Sequence, residues 1–294
     1  MKKILIILLA FAMLFAFAAC TADEATEDTA APENPVIRLS TTTSVNDSGL
    51  LPYLQPYFEE ATGYTLEISS AGTGAAIQAA RDGNADCLLV HSKSQEETYI
   101  AEGYNEERVP FMYNYFVVVG PQEDQATAMG AASAADAFAA IANKGATFIS
   151  RGDSSGTHSK EVSIWVLAGL LESADSDANG NYPVIDADWY QSVGQGMGAA
   201  LTMANEQLAY TLSDKATFLA NATNLPDLAI LLEKADDMLN TYSMIAVTPE
   251  RYAETNYEGA QAFIDWMTSD EASQLIAAYG TKEYGQQLFY VFEE

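Results

Sequence analysis

The pattern of apolar and polar residues predicts alternating strands and helices along most of the chain. A strand pattern begins at Ile37, and an amphipathic run at residues 50–58 has apolar residues at helical spacing. A second strand pattern at residues 64–69 leads to a helix pattern at residues 75–81. Alternation of this kind is typical of βαβ units, so the sequence predicts an α/β fold.

Two long apolar strand patterns, at residues 109–119 and 240–247, stand on either side of a middle block of alternating elements. Strands that enter and leave such a block indicate crossovers between two lobes. We expect lobe 1 to combine residues 36–113 with 243–294, and lobe 2 to hold residues 114–242. The middle block is predicted to contain strands at residues 146–149 and 208–212, and helices at residues 133–143, 158–171, 194–206 and 213–220.

Three turns that carry hydroxyl groups and glycines each lie between a strand pattern and a helix pattern. They occupy residues 40–49, 71–74 and 150–158. The carboxyl ends of parallel strands meet at one edge of a sheet, and open α/β proteins bind their ligands at this edge. The sequence therefore predicts a ligand site that the three turns form together.

The turn at residues 150–158 reads Ser-Arg-Gly-Asp-Ser-Ser-Gly-Thr-His and stands immediately before a helix pattern. The first N–H groups of a helix lack internal partners and lie at the positive end of its dipole, so they attract anions. Arg151 adds a fork of donors that can hold two oxygens at once. The alternative is a capped surface helix, with Ser154, Ser155 or Thr157 as the cap. The two other turns of the same kind favour the anion site.

Residues 1–20 are typical of an export signal, because two lysines precede an apolar run that ends in small residues. The segment before Cys20 resembles a lipobox, with Phe17 where an aliphatic residue is usual. Cleavage there and lipidation of Cys20 predict an extracytoplasmic lipoprotein anchored through its lipid. Cleavage after an Ala-x-Ala pattern is the alternative and would release a soluble periplasmic or secreted protein. Residues 21–35, which are acidic and contain almost no apolar bulk, are expected to form a disordered tether.

The chain is strongly acidic, with 41 acidic and 13 basic residues and a net charge of −28. Removal of residues 1–20 takes away two lysines and no acid, which leaves a net charge of −30. Such a protein repels nucleic acid and anionic lipid surfaces at long range, so we exclude nucleic-acid binding. An anionic ligand is repelled as well. At physiological salt this repulsion is screened over about 8 Å, so short-range hydrogen bonds in a closed pocket outweigh it.

The cysteines and histidines argue against an enzyme. Cys87 is the one thiol after Cys20, and its apolar strand predicts a buried residue without a disulfide. His91 and His158 have no cysteine or acidic partner at metal-ligand spacing, so we expect no metal site and no cofactor. A serine-type hydrolase with Ser155 and His158 is a distant alternative, because a helix start scarcely provides the geometry for a nucleophile and its base.

Ordered motifs along the chain resemble the tungstate-binding proteins of ABC importers over nearly all of the sequence after the export signal. The motifs are Ser40-Thr41-Thr42-Thr43-Ser44, Gly72-Thr73-Gly74, the stretch from Arg151 to Glu161, Gly196-Met197-Gly198, and residues 209–218 and 242–247. A series of motifs in this order is far more specific than any one of them. The departures from the family's pattern are Cys87, in place of an aliphatic residue, and Ser92-Lys93, where a proline is frequent.

The resemblance implies a two-lobed type II periplasmic-binding fold with two crossover segments, closing on a ligand in the cleft. It implies a substrate-binding component that captures tungstate and presents it to the membrane permease subunits of an ABC importer. It also implies that Thr42 or Thr43, together with Arg151 and Thr157, holds the oxyanion. The supporting donors would be Thr73, Gly74, Ser154, Ser155 and Gly156.

Other ligands stay open at this point. A tetrahedral dianion only accepts hydrogen bonds, so a pocket made entirely of donors suits tungstate, molybdate and sulfate alike. Phosphate carries a proton near neutral pH, and a carboxylate acceptor in the pocket would recognise it. A structural or adhesive surface lipoprotein is a further alternative, but it does not need three such turns along one edge.

Overall fold

The computed structural model describes residues 32–105, 107–177 and 181–292. The strands among these residues are β1 (Val36–Thr42), β2 (Thr65–Ala71), β3 (Cys87–Val90), β4 (Val109–Pro121), β5 (Phe148–Ser150), β6 (Tyr190–Ser192), β7 (Tyr210–Asp214), β8 (Leu228–Glu233), β9 (Leu239–Ala246) and β10 (Tyr290–Val291). The α-helices are α1 (Thr43–Asp47), α2 (Leu50–Thr62), α3 (Thr73–Arg81), α4 (Lys93–Ala101), α5 (Ala134–Lys144), α6 (Gly156–Leu167), α7 (Met197–Gln207), α8 (Lys215–Asn221), α9 (Tyr257–Met267) and α10 (Asp270–Ala278).

The strands form one mixed sheet in the order β2-β1-β3-β9-β4-β7-β5-β6, and β8 and β10 also pair with β4. β1 runs parallel to β2 and β3, and β5 runs parallel to β6 and β7. β9 and β4 run antiparallel to each other between these two parallel groups. The α/β prediction is confirmed.

β4 is long enough to take part in both halves of the sheet. Its first part, from Val109 to Tyr115, pairs with β9, and its next residues, Phe116–Val119, pair with β7. One continuous strand therefore connects the two parallel groups, in the place where the sequence analysis expects a crossover. The lobe boundaries at residues 113/114 and 242/243 stay a prediction.

Helices with an apolar face pack against the sheet. In α2, Leu50, Leu54 and Phe58 recur every four residues and are buried. Full burial of a side chain of this kind stabilises the fold by roughly 1.5–3 kcal/mol. Together with α9 and α10 they form one core, and the faces of α5 and α6 form another around Trp165.

Several elements differ from the sequence-based expectation. The first turn is itself a short helix, α1, and α6 spans Gly156–Leu167 where the pattern predicts residues 158–171. The sequence analysis does not predict α4, whose nine residues contain few apolar ones, or β8. β8 is a short apolar run, and such a run has no period that separates a strand from a buried helix.

The predicted export signal, Cys20 and most of the predicted tether lie outside the described residues. At the end of that tether, the carbonyl oxygens of Asn34 and Pro35 accept hydrogen bonds from Asn256 and Thr65, so residues 34–35 are tied to the folded domain. Within the described part of the chain, no helix is both long and apolar enough to cross a membrane. Cys87 is fully buried, as predicted.

Candidate anion-binding site

Four helices begin where strands of the sheet end. The residues that cap them are Thr42 before α1, Gly72 before α3, Ser155 before α6 and Asp214 before α8. The first N–H groups of each helix lack helical partners, and the helix dipole places about half a positive elementary charge there. Helix starts that lie together are therefore a favourable place for an anion.

Contacts between these helix starts bring them to one place. A Cβ atom built on Gly72 would lie 3.3 Å from the carbonyl oxygen of Asp153 and 3.6 Å from Cα of Ser155, so α3 begins directly against the loop before α6. The Thr217 hydroxyl of α8 donates to the carbonyl oxygen of Ser44 in α1 at 3.5 Å. All three turns predicted from the sequence meet here, together with α8.

Arg151 lies at the centre of this arrangement and is 1% exposed. Its Nη2 donates to the Thr43 hydroxyl at 3.3 Å and to Asp153 Oδ2 at 2.5 Å, and its Nη1 donates to the Thr157 hydroxyl at 3.5 Å. Its Nε has no hydrogen-bond partner among the described residues. One guanidinium therefore connects the hydroxyls of two helix starts, and its Nε is available to donate to a ligand.

Asp153 holds Arg151 and the adjacent loop in place. Its Oδ2 accepts from Arg151, and its Oδ1 accepts from the backbone N–H of Ser155 at 3.2 Å. The carboxylate compensates much of the charge of a guanidinium that water does not reach, because an isolated buried charge is costly. Asp153 thus braces the arginine and the loop before α6.

The start of α3 supplies Thr73 and Gly74. The Thr73 side chain is fully buried, and its hydroxyl has no partner within the described ranges. A Cβ atom on Gly74 would lie 3.6 Å from the carbonyl oxygen of Ser154, so this turn packs closely on the loop before α6. An unpaired buried hydroxyl is unfavourable by about 1–3 kcal/mol, and an oxygen ligand at this place would relieve that cost.

Ser154 and Ser155 precede α6, and Gly156 and Thr157 are its first two residues. The Ser155 hydroxyl caps the helix by accepting from the backbone N–H of His158 at 3.2 Å. The His158 ring turns elsewhere, because its Nδ1 accepts from the backbone N–H of Ser154 at 3.1 Å. No hydrogen bond joins the Ser155 hydroxyl to this ring in the described structure, so the geometry gives the hydrolase alternative no support.

Gly156 packs against the ring of His91, which directly follows β3. A Cβ atom built on Gly156 would lie 2.5 Å from His91 Cε1. The ring is held at both nitrogens, by the Ser44 hydroxyl at 3.0 Å and by Asn240 Oδ1 at 3.0 Å. Burial and the positive charge of Arg151 lower the pKa of His91 to about 4. His91 is thus a neutral spacer between the first and the third turn.

Comparison with known proteins decides the family. A family model described as a PBP superfamily domain matches residues 29–271. The chain is 40% identical, over 98% of both chains, to the tungstate-binding protein TupA of Peptoclostridium acidaminophilum. This chain belongs to the PBP superfamily, in the family of the tungstate-binding proteins. The resemblance predicted from the motifs is confirmed.

Two solved structures from the tungstate-binding family have the same fold. The tungstate ABC transporter protein from Geobacter sulfurreducens is 39% identical with a TM-score of 0.73, over 83% of this chain and 98% of that one. TupA from Desulfovibrio alaskensis G20 is 33% identical with a TM-score of 0.71, over 88% of this chain and 100% of that one. The predicted periplasmic-binding fold is confirmed, and the Geobacter sulfurreducens relative belongs to an ABC transporter.

A cleft of about 840 Å³ opens beside the site in this PBP-superfamily chain. Gly74, Ser154, Gln95 and Tyr182 are among the residues that line it. Gln95 Nε2 donates to the Tyr182 hydroxyl at 3.0 Å and to the carbonyl oxygen of Ser154 at 3.4 Å. The cleft therefore reaches the edge of the site, while Arg151 is not among the residues that line it.

Asp214 is a buried acid that the sequence analysis did not place in the site, although an aspartate directly before a helix pattern is a cap signal. Its Oδ1 accepts from the backbone N–H of Thr217 at 2.9 Å, and its Oδ2 has no partner in the described part of the structure. Burial raises the pKa of Asp214, while the Thr217 N–H and the charge of Arg151 oppose this shift.

Glu161, one turn into α6, is a second buried acid. Its Oε1 accepts from the Tyr190 hydroxyl at 2.7 Å and from Trp165 Nε1 at 3.0 Å. Burial raises its pKa to about 7, although these hydrogen bonds favour the charged form. The folded protein therefore holds a proton on Glu161 that the unfolded chain releases near pH 4.5.

This raised pKa predicts a pH-dependent stability. The Glu161 contribution is most favourable below pH 4.5 and is lost as the pH rises to about 7. A shift of this size corresponds to about 3 kcal/mol. Glu161→Gln keeps both acceptor contacts without the charge. The free energy of unfolding of the variant relative to that of wild type should therefore be higher at pH 8 than at pH 5. Urea unfolding at the two pH values measures this, with Glu60→Gln, at an exposed position of α2, as control. A difference that does not change with pH would contradict the assignment.

Proposed function

We propose that this protein is the substrate-binding component of an ABC importer and that it captures tungstate among the four helix starts. The observation that carries the proposal is the buried guanidinium of Arg151, which reaches the hydroxyls of Thr43 and Thr157 from two different turns. A site that joins separate helix starts through one arginine fits a ligand with several oxygens. We propose Thr73, Gly74, Ser154, Ser155 and Gly156 as supporting donors.

The charge of the site suits a dianion that has to bind and be released. Asp153 offsets Arg151, so the guanidinium adds donors and little net charge. The remaining attraction comes from helix dipoles and oriented N–H groups, which act at short range in a site that excludes water. Such a site binds selectively without an excess of fixed positive charge, in a chain whose net charge is −28.

The donors also separate tungstate from phosphate. Tungstate, molybdate and sulfate accept hydrogen bonds at all four oxygens, whereas phosphate near neutral pH presents a hydroxyl that needs an acceptor. The unpaired acceptor observed next to the donors is Asp214 Oδ2, while Oδ1 of the same carboxyl already accepts from the backbone N–H of Thr217. The other groups that we propose as ligands are donors, and we therefore propose that phosphate binds more weakly than tungstate. Molybdate remains the alternative ligand, because it has the same charge and shape.

Calorimetric titration with tungstate, molybdate, sulfate and phosphate tests the proposal. Residues from Pro32 onward form one compact unit, so a protein that begins at residue 21 is suitable. It should be unfolded, dialysed and refolded first to remove bound anions. Tight tungstate binding, together with no binding heat from sulfate or phosphate, supports the proposal. No heat with any of the four anions from folded protein would overturn it.

We further propose that the protein is extracytoplasmic, is anchored through a lipid on Cys20 and meets the permease subunits of its importer. The export-signal pattern of residues 1–20 and the relative from a tungstate ABC transporter support this. The full chain, produced in bacteria fed a labelled fatty acid, should carry the label and sediment with membranes. Cys20→Ala should lose both properties. A labelled Cys20→Ala protein, or an unlabelled wild type, would contradict the anchor.

Thr157→Val is expected to weaken tungstate binding at least tenfold, because the variant loses a hydroxyl that Arg151 holds at the start of α6. A hydrogen bond to a charged group contributes roughly 1.5–3 kcal/mol. Thr211→Val is the matched control, since the Thr211 hydroxyl is equally buried but donates to the Ile149 carbonyl oxygen in the sheet. The control should lower the melting temperature and keep the affinity. Equal affinity losses in both variants would make Thr157 a structural residue only.

A further inference from the structure

A chain of hydrogen bonds runs from the two long antiparallel strands to the first anion-binding turn. Asn240 of β9 lies opposite Asn114 of β4 in the sheet. Asn240 Nδ2 donates to Asn114 Oδ1 at 2.8 Å and to the Tyr242 hydroxyl at 2.8 Å. In this orientation of the Asn240 amide, Oδ1 faces His91 as an acceptor.

The orientation of Asn240 determines which nitrogen of His91 carries the proton. Asn240 Oδ1 can only accept, so His91 Nδ1, at 3.0 Å, must be the donor. In a neutral ring Nε2 is then an acceptor. Ser44 Oγ lies 3.0 Å from Nε2, so the Ser44 hydroxyl donates its hydrogen to the ring. The low pKa of His91 is consistent with a neutral ring.

The same reasoning determines the hydroxyl of Thr42. A hydroxyl has a single hydrogen, and Ser44 gives its own to His91, so Ser44 Oγ accepts from Thr42 Oγ1 at 3.3 Å. Thr42 Oγ1 in turn accepts from the backbone N–H of Val45 at 3.4 Å. Thr42 thus caps α1 and donates its hydroxyl hydrogen to Ser44 within the turn.

Thr43, the next residue, has the opposite arrangement. Its Oγ1 accepts from Arg151 Nη2 at 3.3 Å, which leaves its own hydrogen free to donate elsewhere. Thr43 is half-buried, whereas Thr42 is almost completely buried. Of the two threonines that the family resemblance implied as alternatives, Thr43 is therefore the one equipped to donate to an anion.

We propose that His91 is a positioning residue of the anion site. Because its Nε2 accepts from Ser44, the hydroxyl hydrogens of Ser44 and Thr42 are both used in a relay of hydrogen bonds within the protein. Thr43 is then the hydroxyl donor of the first turn. The inference rests on the proposed oxyanion function. His91 also sets the distance between the first and third turns, because Gly156 packs on its ring. The crossover strands, the first turn and the start of α6 are thereby connected through one side chain.

The two histidines provide a direct test because their predicted protonation differs. His91 should carry its proton on Nδ1, whereas His158 Nδ1 accepts from Ser154 and should leave the proton on Nε2. The chain has two histidines, so ¹⁵N-imidazole NMR of the protein without residues 1–20 gives two resolvable sets of signals. One ring of each tautomer is expected at pH 7, with and without tungstate. His91→Gln assigns the signals, and an Nε2-protonated or cationic His91 would overturn the proposal.

Binding measurements test the consequence for the threonines. Thr43→Val should weaken tungstate binding at least tenfold more than Thr42→Val, while Thr42→Val should lower the melting temperature more because α1 loses its cap. Equal effects on affinity, or a larger effect of Thr42→Val, would overturn the assignment. The NMR result does not need a ligand. If wild-type protein binds no oxyanion, the proposed function fails. The tautomers observed by NMR still show whether the relay of hydrogen bonds through His91 exists.

Discussion

Replacing Arg151 by alanine should reduce tungstate affinity at least a thousandfold while the protein stays folded. The variant loses charged donors at the centre of the site, each contributing roughly 1.5–3 kcal/mol. It also leaves Asp153 without its partner, and that carboxylate then repels a dianion across a short distance. Both effects act in the same direction, and a thousandfold loss corresponds to about 4 kcal/mol.

Calorimetry and thermal melting without ligand measure this prediction. Arg251→Ala is the control, because it makes the same change in charge while its guanidinium lies at the surface and donates to the Gly103 carbonyl oxygen. The control should keep the affinity. The double variant Arg151→Ala/Asp153→Ala should bind better than Arg151→Ala alone, since it removes the repulsion. A dissociation constant for Arg151→Ala within threefold of wild type would remove Arg151 from the site.

Gly156→Ala should reduce tungstate affinity about a hundredfold with the addition of one methyl group. The new Cβ would lie 2.5 Å from His91 Cε1, roughly 1 Å too close for carbon atoms. The ring cannot easily retreat, because Ser44 and Asn240 hold both of its nitrogens. The start of α6 must move away instead, and donors of the first and third turns then no longer reach the same anion.

Gly198→Ala is the matched control for this substitution. Gly198 lies in the first turn of α7, and a Cβ built there meets no atom within 4 Å. The control should bind tungstate as wild type does and should be slightly more stable, because alanine favours a helix over glycine. Calorimetric titration of both variants decides the matter. Wild-type affinity in Gly156→Ala would show that the His91 ring moves freely and does not set the spacing of the turns.

The sequence analysis recovered the elements whose causes are local. The period of apolar residues located α2, α5 and the long strand β4, because burial of one face needs only the spacing along the chain. It misplaced the start of α6, and it missed α1 and α4. α1 has five residues and α4 is mostly polar, so neither shows a clear apolar period.

Individual residues and turns of the candidate site could be predicted from the sequence, but the contacts among them could be predicted only in part. Arg151, Thr157 and the turn at residues 71–74 could be chosen because small hydroxyl residues and glycines before a helix have a known use in binding anions. Asp214 was not chosen, since a buried carboxyl beside an anion site contradicts simple charge reasoning. Its burial and raised pKa become visible only with its surroundings.

The sequence by itself determined the α/β class, the helix starts rich in hydroxyls and the family, because strand and helix periods, capping residues and motifs are properties of neighbouring residues. Only the tertiary structure decided that Arg151 meets Thr43 across 108 positions and that the His91 ring separates Gly156 from Ser44. Those contacts follow from the order of strands in the sheet, with β9 and β4 placed between the two parallel groups. Strand order depends on packing of distant segments, and no local pattern specifies it.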